Sequence, residues 1–454
     1  MVNLSKMKKE KIYFYNGEIK EELKIPQSFF PKDKKNNMWA YCYVEYICVD
    51  ESENEKKFAL NLYYYNNYNE ENLFQFDDMH VILMTRKQVI SLVNKVYNKL
   101  NTKRINGILN YTSNEVIITE DCSEINSILQ MFIFTKDGID IKEKYRIFKT
   151  MKQKYFDLKR ELESSNRLNC SILAKFHEKI ECKYKNNNYS KCYLRVYNVG
   201  QANFSALYTD ENTNPDVIFD FGCDSKHFSD ITYEIKNIGS DGYVVISHFH
   251  QDHFNLYRIA PNDFFKRSFI LHSIPEALNA SAAFLDRILI NAANIFIIKD
   301  DTIKLEANYI NFDFFKVGQG LRNLHMNGEQ NALENIHSLV SIIKIGGAEA
   351  ILPGDALEWE FPLNANHHFK FAYLSHHGCK TMTDKVLPYK VDISFLPTSD
   401  PGQKKYYHPQ LSHLSKYNTV FRFGGDNSIM FNNRKKISDN KTLKIKSKYL
   451  DIYF

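Results

Sequence analysis

The sequence predicts two domains: a smaller α+β domain, then a larger one in which predicted strands end in potential metal-binding side chains. Two observations place the division. The chain has 454 residues, which is more than one hydrophobic core of ordinary size holds. Aromatic and β-branched strand patterns dominate the first third, and a long helical pattern then interrupts them. We therefore place the N-terminal α+β domain at residues 1–140, a long helix and linker at 141–188, and the second domain at 189–454.

The composition is that of an ordinary globular protein. Hydrophobic residues make up 44% and charged residues 25% of the chain. The net charge of +5 is small for this length, so it permits a nucleic-acid partner without arguing for one. The N-terminus lacks the apolar segment of a signal peptide, and no stretch approaches the roughly 18 apolar residues of a membrane helix. The 8 cysteines form no C-x-x-C pair. These features predict a cytoplasmic protein that is not inserted in a membrane.

The N-terminal domain shows strand patterns but no catalytic motif. Its Lys-rich start, up to about residue 36, is expected to form a partly ordered arm. Its one notable histidine, His80, is more readily structural than catalytic. The pattern predicts strands at 38–49, 58–65, 81–84, 107–118 and 131–134, a turn at 66–69 and a helix at 89–100.

Residues 141–183 predict one long helix or a helical hairpin. Apolar residues recur at heptad spacing over about two repeats, at Phe148, Met151, Tyr155, Leu158 and Leu162. Two interpretations stay open. The favoured one is a helix that packs on its own domain, and the other is a homodimer contact through this helix. Three asparagines at 186–188 then predict a linker.

The strongest chemical signal is the segment 247–253, SHFHQDH, which we call the metal loop. The apolar run YVVI directly before it reads as a short buried strand. His248 and His250 are two positions apart and can point the same way, while Asp252 and His253 fall on the following turn. Imidazole and carboxylate suit Zn²⁺, Mn²⁺ or Fe²⁺, and burying them together without a metal would be costly. The alternative, a histidine-rich surface loop, fits this position less well.

Aspartate and histidine residues also follow or end other predicted strands of the second domain. Strand 193–198 leads to VGQANF, and strand 217–222 ends in Asp-Phe-Gly with Asp220. The strands 335–343 and 348–352 are followed by Pro-Gly-Asp, which ends at Asp355. Three later segments complete the pattern: strand 371–374 with SHHG at 375–378, strand 391–396 with the His-Pro pair at His408, and a hairpin at 421–431.

These landmarks resemble the metallo-β-lactamase-fold hydrolases, most closely the nuclease domain of competence DNA-uptake channel proteins. The resemblance covers about residues 190–454 and implies an αβ/βα sandwich. In that family the first two loop histidines hold one metal, the Asp-His pair holds a second, an aspartate bridges both, and the HHG element supplies the last imidazole. The implied ligands of two divalent ions, Zn²⁺ or else Mn²⁺, are His248, His250, Asp252, His253, Asp355 and His377.

The resemblance also implies supporting roles. Asp220 would brace the metal loop by hydrogen bonds, and His376 would replace His377 as ligand or lie beside the substrate. Asn335 stands where many members have a further histidine for the first metal, so that metal binds more weakly or takes His325 or His337 instead. Lys380, with Lys404 and Lys405 nearby, could bind phosphate, although solvated surface lysines are the simpler interpretation.

The expected chemistry is hydrolysis by hydroxide that the two metals generate near neutral pH. Asp252 would steer the hydroxide proton, and His408, or whichever of His376 and His377 is not a ligand, would protonate the leaving group or bind an anionic oxygen. The resemblance favours a phosphodiesterase or nuclease acting on nucleic acid or a nucleotide. Two alternatives remain: a hydrolase of a small phosphoester or carboxylic ester, and a non-catalytic metal-binding sensor.

Overall fold

The structure is a computed structural model. It describes residues 9–15, 20–26, 39–50, 55–65, 78–85, 87–88, 133–135, 141–165, 170–186, 192–200, 202–209, 214–223, 228–274, 281–298, 300–317, 338–356, 361, 363, 366–378, 389–396, 420–423, 429–431, 443–445 and 448–454. The chain divides into two compact units. The first comprises Met1–Arg160, Pro275–Ala283 and Gly328–Leu333, and the second comprises Glu161–Ile274, Phe284–Asn327 and Glu334–Phe454. The second unit thus begins within the segment predicted as helix and linker.

The first unit contains a six-stranded antiparallel sheet in the order β2-β1-β6-β3-β4-β5. Its strands are β1 (Lys9–Tyr15), β2 (Lys20–Pro26), β3 (Trp39–Asp50), β4 (Glu55–Tyr65), β5 (Asp78–Thr85) and β6 (Ile133–Thr135). The expectation of a partly ordered arm is wrong for β1 and β2. Their Lys and Glu content hides the strand pattern, and β1 is fixed by pairing with β6 from far along the chain. The predicted helix at 89–100 and strand at 107–118 lie outside the described residues.

Two helices follow, α1 (Ile141–Ser165) and α2 (Cys170–Asn186). The heptad positions Tyr155, Leu158 and Leu162 of α1 are buried within the single chain. This burial favours packing of α1 on its own protein, and the homodimer contact stays a prediction. Helix α2 contributes Leu173 and Ile180 to the core of the second unit. Within the described ranges, no helix combines the length and the apolar composition needed to cross a lipid bilayer.

The first sheet of the second unit has eight strands in the order β12-β11-β10-β9-β8-β7-β22-β21. Strands β9 to β12 are parallel, and α3 (Phe228–Lys236) and α4 (Ser281–Asn291) precede β10 and β12 along the chain, as parallel connections require. The strands are β7 (Tyr193–Tyr197), β8 (Phe204–Tyr208), β9 (Val217–Phe221), β10 (Tyr243–Ile246), β11 (Ser268–Leu271), β12 (Asn294–Ile297), β21 (Leu443–Ile445) and β22 (Tyr449–Tyr453).

The second sheet runs in chain order from β13 to β20. Strands β16 to β19 are parallel, whereas β13 to β16 and the β19–β20 hairpin are antiparallel. The strands are β13 (Thr302–Leu305), β14 (Ile310–Lys316), β15 (Leu339–Ile345), β16 (Ala348–Leu352), β17 (His368–Tyr373), β18 (Lys390–Phe395), β19 (Val420–Phe423) and β20 (Ile429–Phe431).

The two sheets share one hydrophobic core. Phe219 and Val245 of the first sheet belong to the same buried cluster as Ile343 and Phe371 of the second. This arrangement of mixed sheets with helices fits the predicted α/β sandwich. Neighbouring parallel strands end at the same edge of a sheet. The residues that follow β9 therefore lie beside those that follow β10. In the other sheet, the residues that follow β16 lie beside those that follow β17.

Candidate metal centre

The metal loop follows β10 and brings its histidines into the protein interior. His248, His250 and His253 are 3%, 8% and 0% exposed. The loop turns through a short 3-10 helix, Gln251–His253, in which the His253 amide donates to the His250 carbonyl at 3.0 Å. The Asp252 side chain is the exception to this burial, with 34% exposure. The loop is therefore a buried cluster with one partly accessible carboxylate, and not a histidine-rich surface loop.

Asp355 lies at the centre of the cluster. It follows β16 and is 1% exposed. Its two carboxylate oxygens face different imidazoles. Oδ1 lies 3.2 Å from His253 Nε2 and 3.9 Å from His377 Nε2. Oδ2 lies 3.5 Å from His248 Nε2, 3.6 Å from His376 Nε2 and 3.8 Å from His250 Nδ1.

The two histidines after β17 adopt an uncommon backbone conformation. His376 has φ 46° and His377 has φ 49°, which is the left-handed region that non-glycine residues rarely occupy. Each such residue costs on the order of 1 kcal/mol and persists only where surrounding contacts hold it. The His376 amide donates to the Gly354 carbonyl at 3.1 Å, and the Ser375 hydroxyl donates to the Ala356 carbonyl. The turn directs both imidazoles inward, and His377 Nε2 reaches Asp252 Oδ2 at 2.9 Å.

Asp220 supports the metal loop from β9, and it too has a positive φ, of 51°. Its Oδ1 accepts the Ser247 amide at 2.8 Å, and its Oδ2 accepts the Ser247 hydroxyl at 2.9 Å and His253 Nδ1 at 2.8 Å. A carboxylate oxygen accepts these bonds, so His253 carries a proton on Nδ1 and directs Nε2 toward Asp355. These contacts are those of the brace that the resemblance implies for Asp220.

Two serines, which the sequence analysis did not single out, connect the segments of the cluster. The hydroxyls of Ser247 and Ser338 lie 3.1 and 3.3 Å from His248 Nδ1. Ser338 Oγ also accepts the Asp355 amide at 3.2 Å, and the Leu339 amide donates to the Ser247 carbonyl at 2.8 Å. Ser338 therefore orients an imidazole and the central carboxylate together. The one available signal was its position, three residues after Asn335 and directly before a strand.

Gly222 lets the metal loop approach the end of β9. A Cβ atom at this position would lie 1.5 Å from the Asp252 carbonyl oxygen and 2.8 Å from the His253 amide nitrogen. Asn203 stabilises this close approach of the two backbones, because its amide donates to the Asp252 carbonyl at 3.0 Å and its carbonyl accepts the Gly222 amide at 2.8 Å. The glycine of the Asp-Phe-Gly element is thus required by a close backbone approach.

Burial and neighbouring charges set the protonation of each group in the cluster. Burial, reinforced by the positive charge of His253, lowers the pKa of His248 to about 3, so its imidazole is neutral. Burial also disfavours charge on His253, but Asp355, Asp220 and Asp252 raise its pKa well above the usual range. Burial raises the pKa of Asp355 less than the imidazoles of His376, His253 and His248 lower it, so this carboxyl is ionised.

The donor atoms fit a divalent ion. Two groups have ligand atoms within 4.8 Å of one another: His248, His253 and Asp355, and then Asp252, His253 and His377. The buried Nε2 atoms of His248 and His253 lie 3.5 Å from Oδ2 and 3.2 Å from Oδ1 of Asp355, and neither nitrogen forms a hydrogen bond there. Tetrahedral ligands about 2.1 Å from zinc would be about 3.4 Å apart, which lies within the observed spacing of donors around Asp355. Buried imidazole nitrogens and an ionised carboxylate at this spacing match the donor set of a divalent metal ion.

The structure therefore brings together all six predicted ligands, His248, His250, Asp252, His253, Asp355 and His377, and adds His376 and Asp220 beside them. The remaining predicted site residues, Asn335, Lys380 and His408, lie outside the described residues, as do His325, His337, Lys404 and Lys405. Their roles stay predictions.

Comparison with known proteins gives partial structural similarities. No protein-family model matches the chain, and no curated protein matches it. Among solved structures, the chain is similar to Tm1679, a metal-dependent hydrolase of the β-lactamase superfamily, with 14% identity over 46% of this chain and 88% of that one and a TM-score of 0.29. It is similar to Zn²⁺-bound PqqB from Methylobacterium extorquens, with 9% identity, coverage of 46% and 73%, and a TM-score of 0.25. It is also similar to the metallo-β-lactamase fold protein YhfI from Bacillus subtilis, with 10% identity, coverage of 40% and 71%, and a TM-score of 0.23. These scores are too low to carry a functional argument, so the function is inferred from the site itself.

Proposed function

We propose that this chain is a metal-dependent hydrolase whose centre holds two divalent ions bridged by Asp355. One observation carries the proposal: the two oxygens of this buried carboxylate face separate sets of imidazoles, His253 and His377 at Oδ1 and three further histidines at Oδ2. A single buried ion would not require donors on both sides of the carboxylate. Two ions would use both sets of donors, as in sites where a pair of metals stabilises the attacking and the leaving oxygen of a hydrolytic displacement.

When bound, such ions act as Lewis acids and lower the pKa of water toward neutrality. The residues of the chain then hold and orient the reactants. Asp252 is the most exposed of the six predicted ligands, so it faces the side from which solvent and substrate arrive. His253 and His377 lower its pKa more than burial raises it, so Asp252 is ionised at neutral pH. A carboxylate of low pKa orients an attacking water through a hydrogen bond better than it retains a proton.

For the substrate, we propose a phosphodiester of nucleic acid or a nucleotide. Support comes from the sequence landmarks shared with the competence-type nuclease domain and from the lysine after the HHG element, Lys380. The negative charge of a phosphodiester would be attracted by the bound cations and by such a lysine, which would strengthen its binding. A small phosphoester or carboxylic ester would use the same metal centre, and a sensor would keep the metals without turnover, so substrate assays separate these alternatives.

The test uses the purified full chain loaded with Zn²⁺ or Mn²⁺. Single- and double-stranded DNA, RNA, cyclic nucleotides, a phosphomonoester and a carboxylic ester would each be assayed with and without EDTA. We expect phosphodiester cleavage that EDTA removes and that Asp252→Ala or His250→Ala abolishes. His368→Ala is the matched control, because this imidazole is 56% exposed and pairs with Asp392 on the second sheet. Full activity in both site variants would refute the proposal, and cleavage of the carboxylic ester alone would refute the substrate.

A further inference from the structure

We propose that His376 is the third imidazole ligand of the first metal, together with His248 and His250. The sequence pattern left this position open, with Asn335 in place of a histidine and His325 or His337 as substitutes. The inference rests on the proposed two-metal centre and adds to it the source of the missing ligand. The pair of adjacent histidines would then serve both metals, with His376 on one and His377 on the other.

The sorting of donors around Asp355 is the main argument. His376 Nε2 lies 3.6 Å from Oδ2, the oxygen that also faces His248 Nε2 at 3.5 Å and His250 Nδ1 at 3.8 Å. His377 instead lies 3.9 Å from Oδ1 and bonds to Asp252 at 2.9 Å. Asp252 joins the Oδ1 side through His377, at 2.9 Å, and through His253 Nε2, which lies 3.9 Å from Asp252 Oδ1, so each Asp355 oxygen belongs to a set of four donors. The Oδ2 set comprises Oδ2 with His248, His250 and His376, and the Oδ1 set comprises Oδ1 with Asp252, His253 and His377.

The backbone at 375–378 supports a role for both rings. Successive residues of an extended chain point to opposite faces, so only one of two adjacent histidines would reach the centre. Here His376 and His377 both take the left-handed conformation, and both side chains are buried, at 6% and 2% exposure. Because this conformation is costly for a residue with a Cβ atom, other contacts must hold both histidines in it, and a metal bound to each imidazole would supply such contacts.

The coordination count is also satisfied without any residue outside the described part of the chain. Four donors are what zinc takes in most protein sites, and each of the two sets already contains four donors. If His376 bound substrate alone, the Oδ2 set would contain only His248, His250 and the carboxylate. It would then hold its ion more weakly than the Oδ1 set.

The experiment measures metal binding directly. Metal-free full chain would be titrated with Zn²⁺ by calorimetry, and the ions per chain would be counted by elemental analysis after dialysis. We expect two ions for the wild type. His376→Ala and His376→Gln should retain one ion with unchanged affinity and bind the other at least about 100-fold more weakly. His377→Ala should weaken the opposite ion, and His368→Ala, which removes an exposed imidazole, should change neither.

A second variant separates ligation from folding. His376→Gly relieves the left-handed backbone, so the metal-free protein should unfold at the same temperature as the wild type or higher, while the first ion is still weakened. A merely structural role predicts the reverse, with a lower unfolding temperature and intact metal binding. Two ions of wild-type affinity in His376→Ala would overturn the inference and leave the proposed function standing. A wild type that binds no ion would remove both.

Discussion

The close approach between Gly222 and the metal loop gives the sharpest prediction. Substitution of Gly222 by alanine would place Cβ 1.5 Å from the Asp252 carbonyl oxygen, whereas such atoms essentially never approach within 3.0 Å. The loop must therefore shift by at least about 1.5 Å, the difference of these two distances. Gly222 itself cannot easily retreat, because the preceding Phe221 is fully buried and the Gly222 amide is bonded to Asn203.

Metal coordination tolerates a shift of only about 0.2 Å in ligand distance, so this displacement should remove Asp252 and His253 from their ion. We expect the affinity of the ion at the Oδ1 set to fall at least about 100-fold and the catalytic rate by a comparable factor or more. The assay is calorimetric Zn²⁺ titration of the metal-free variant. Far-UV circular dichroism would verify that the variant is folded.

Gly347→Ala is the matched control. An alanine here is strained by the φ of 84°, which position 222 does not share, but no atom lies within 4 Å of the added Cβ, so the variant tests a backbone cost without a steric clash. It should cost about 1 kcal/mol of stability and leave metal binding intact. Wild-type affinity for both ions in folded Gly222→Ala would refute the reasoning, because the loop would then have another way to keep its ligands in place.

Three further predictions follow from other contacts. Asp220→Asn presents an amide donor to the Nδ1 proton of His253, so the preferred tautomer of His253 is lost. The metal affinity measured by calorimetry should then fall about 10–100-fold. Unchanged affinity would contradict the bracing role of Asp220. Zn²⁺ binding at neutral pH should release protons, because Asp355 and Asp220 raise the pKa of His253 and the metal must displace its Nε2 proton. Calorimetric titration in buffers of different ionisation enthalpy measures this release. A binding enthalpy that is the same in all buffers would exclude it. Arg195→Met leaves the buried Asp451 without the side chain that donates to it at 2.7 and 3.0 Å. The free energy of unfolding, measured with denaturant, should fall by about 3–5 kcal/mol, and the number of bound metal ions should not change. A fall of less than about 1 kcal/mol would contradict this prediction.

Much of the site was predictable from the sequence because its ligands follow strands directly. The metal loop comes after β10 and Asp355 after β16, and buried apolar runs mark both strands. Parallel pairing places the end of β9 beside that of β10 in one sheet and the end of β16 beside that of β17 in the other. Packing of the two sheets on one core then brings the two pairs together. The same reasoning located His376 and His377 after β17 but could not divide their roles.

The parts that sequence reasoning missed depend on contacts between distant segments. Ser338 orients His248 and Asp355 only because the start of β15 pairs with the Ser247 carbonyl. The need for glycine at position 222 appears only when the Asp252 backbone is seen above it. The assignment of imidazoles to the two oxygens of Asp355 depends on the left-handed turn at 375–378, which an ordinary pattern of two histidines does not reveal.

The N-terminal strands show the opposite limitation. Strands β1 and β2 carry many lysines and glutamates, so their composition suggests a solvated arm. Pairing of Tyr13 with Thr135 gives β1 a partner more than one hundred residues away along the chain. Charge content alone therefore underestimated β-structure that long-range pairing specifies.

The central claim is that Asp355 bridges two ions, and metal counting on Asp355→Ala tests it most directly. The wild-type chain should bind two ions, and this variant should lose or severely weaken both together, because each oxygen serves a different ion. A folded Asp355→Ala chain that still binds one ion with wild-type affinity would show that the carboxylate serves a single site. A wild type that binds fewer than two ions would contradict the account altogether.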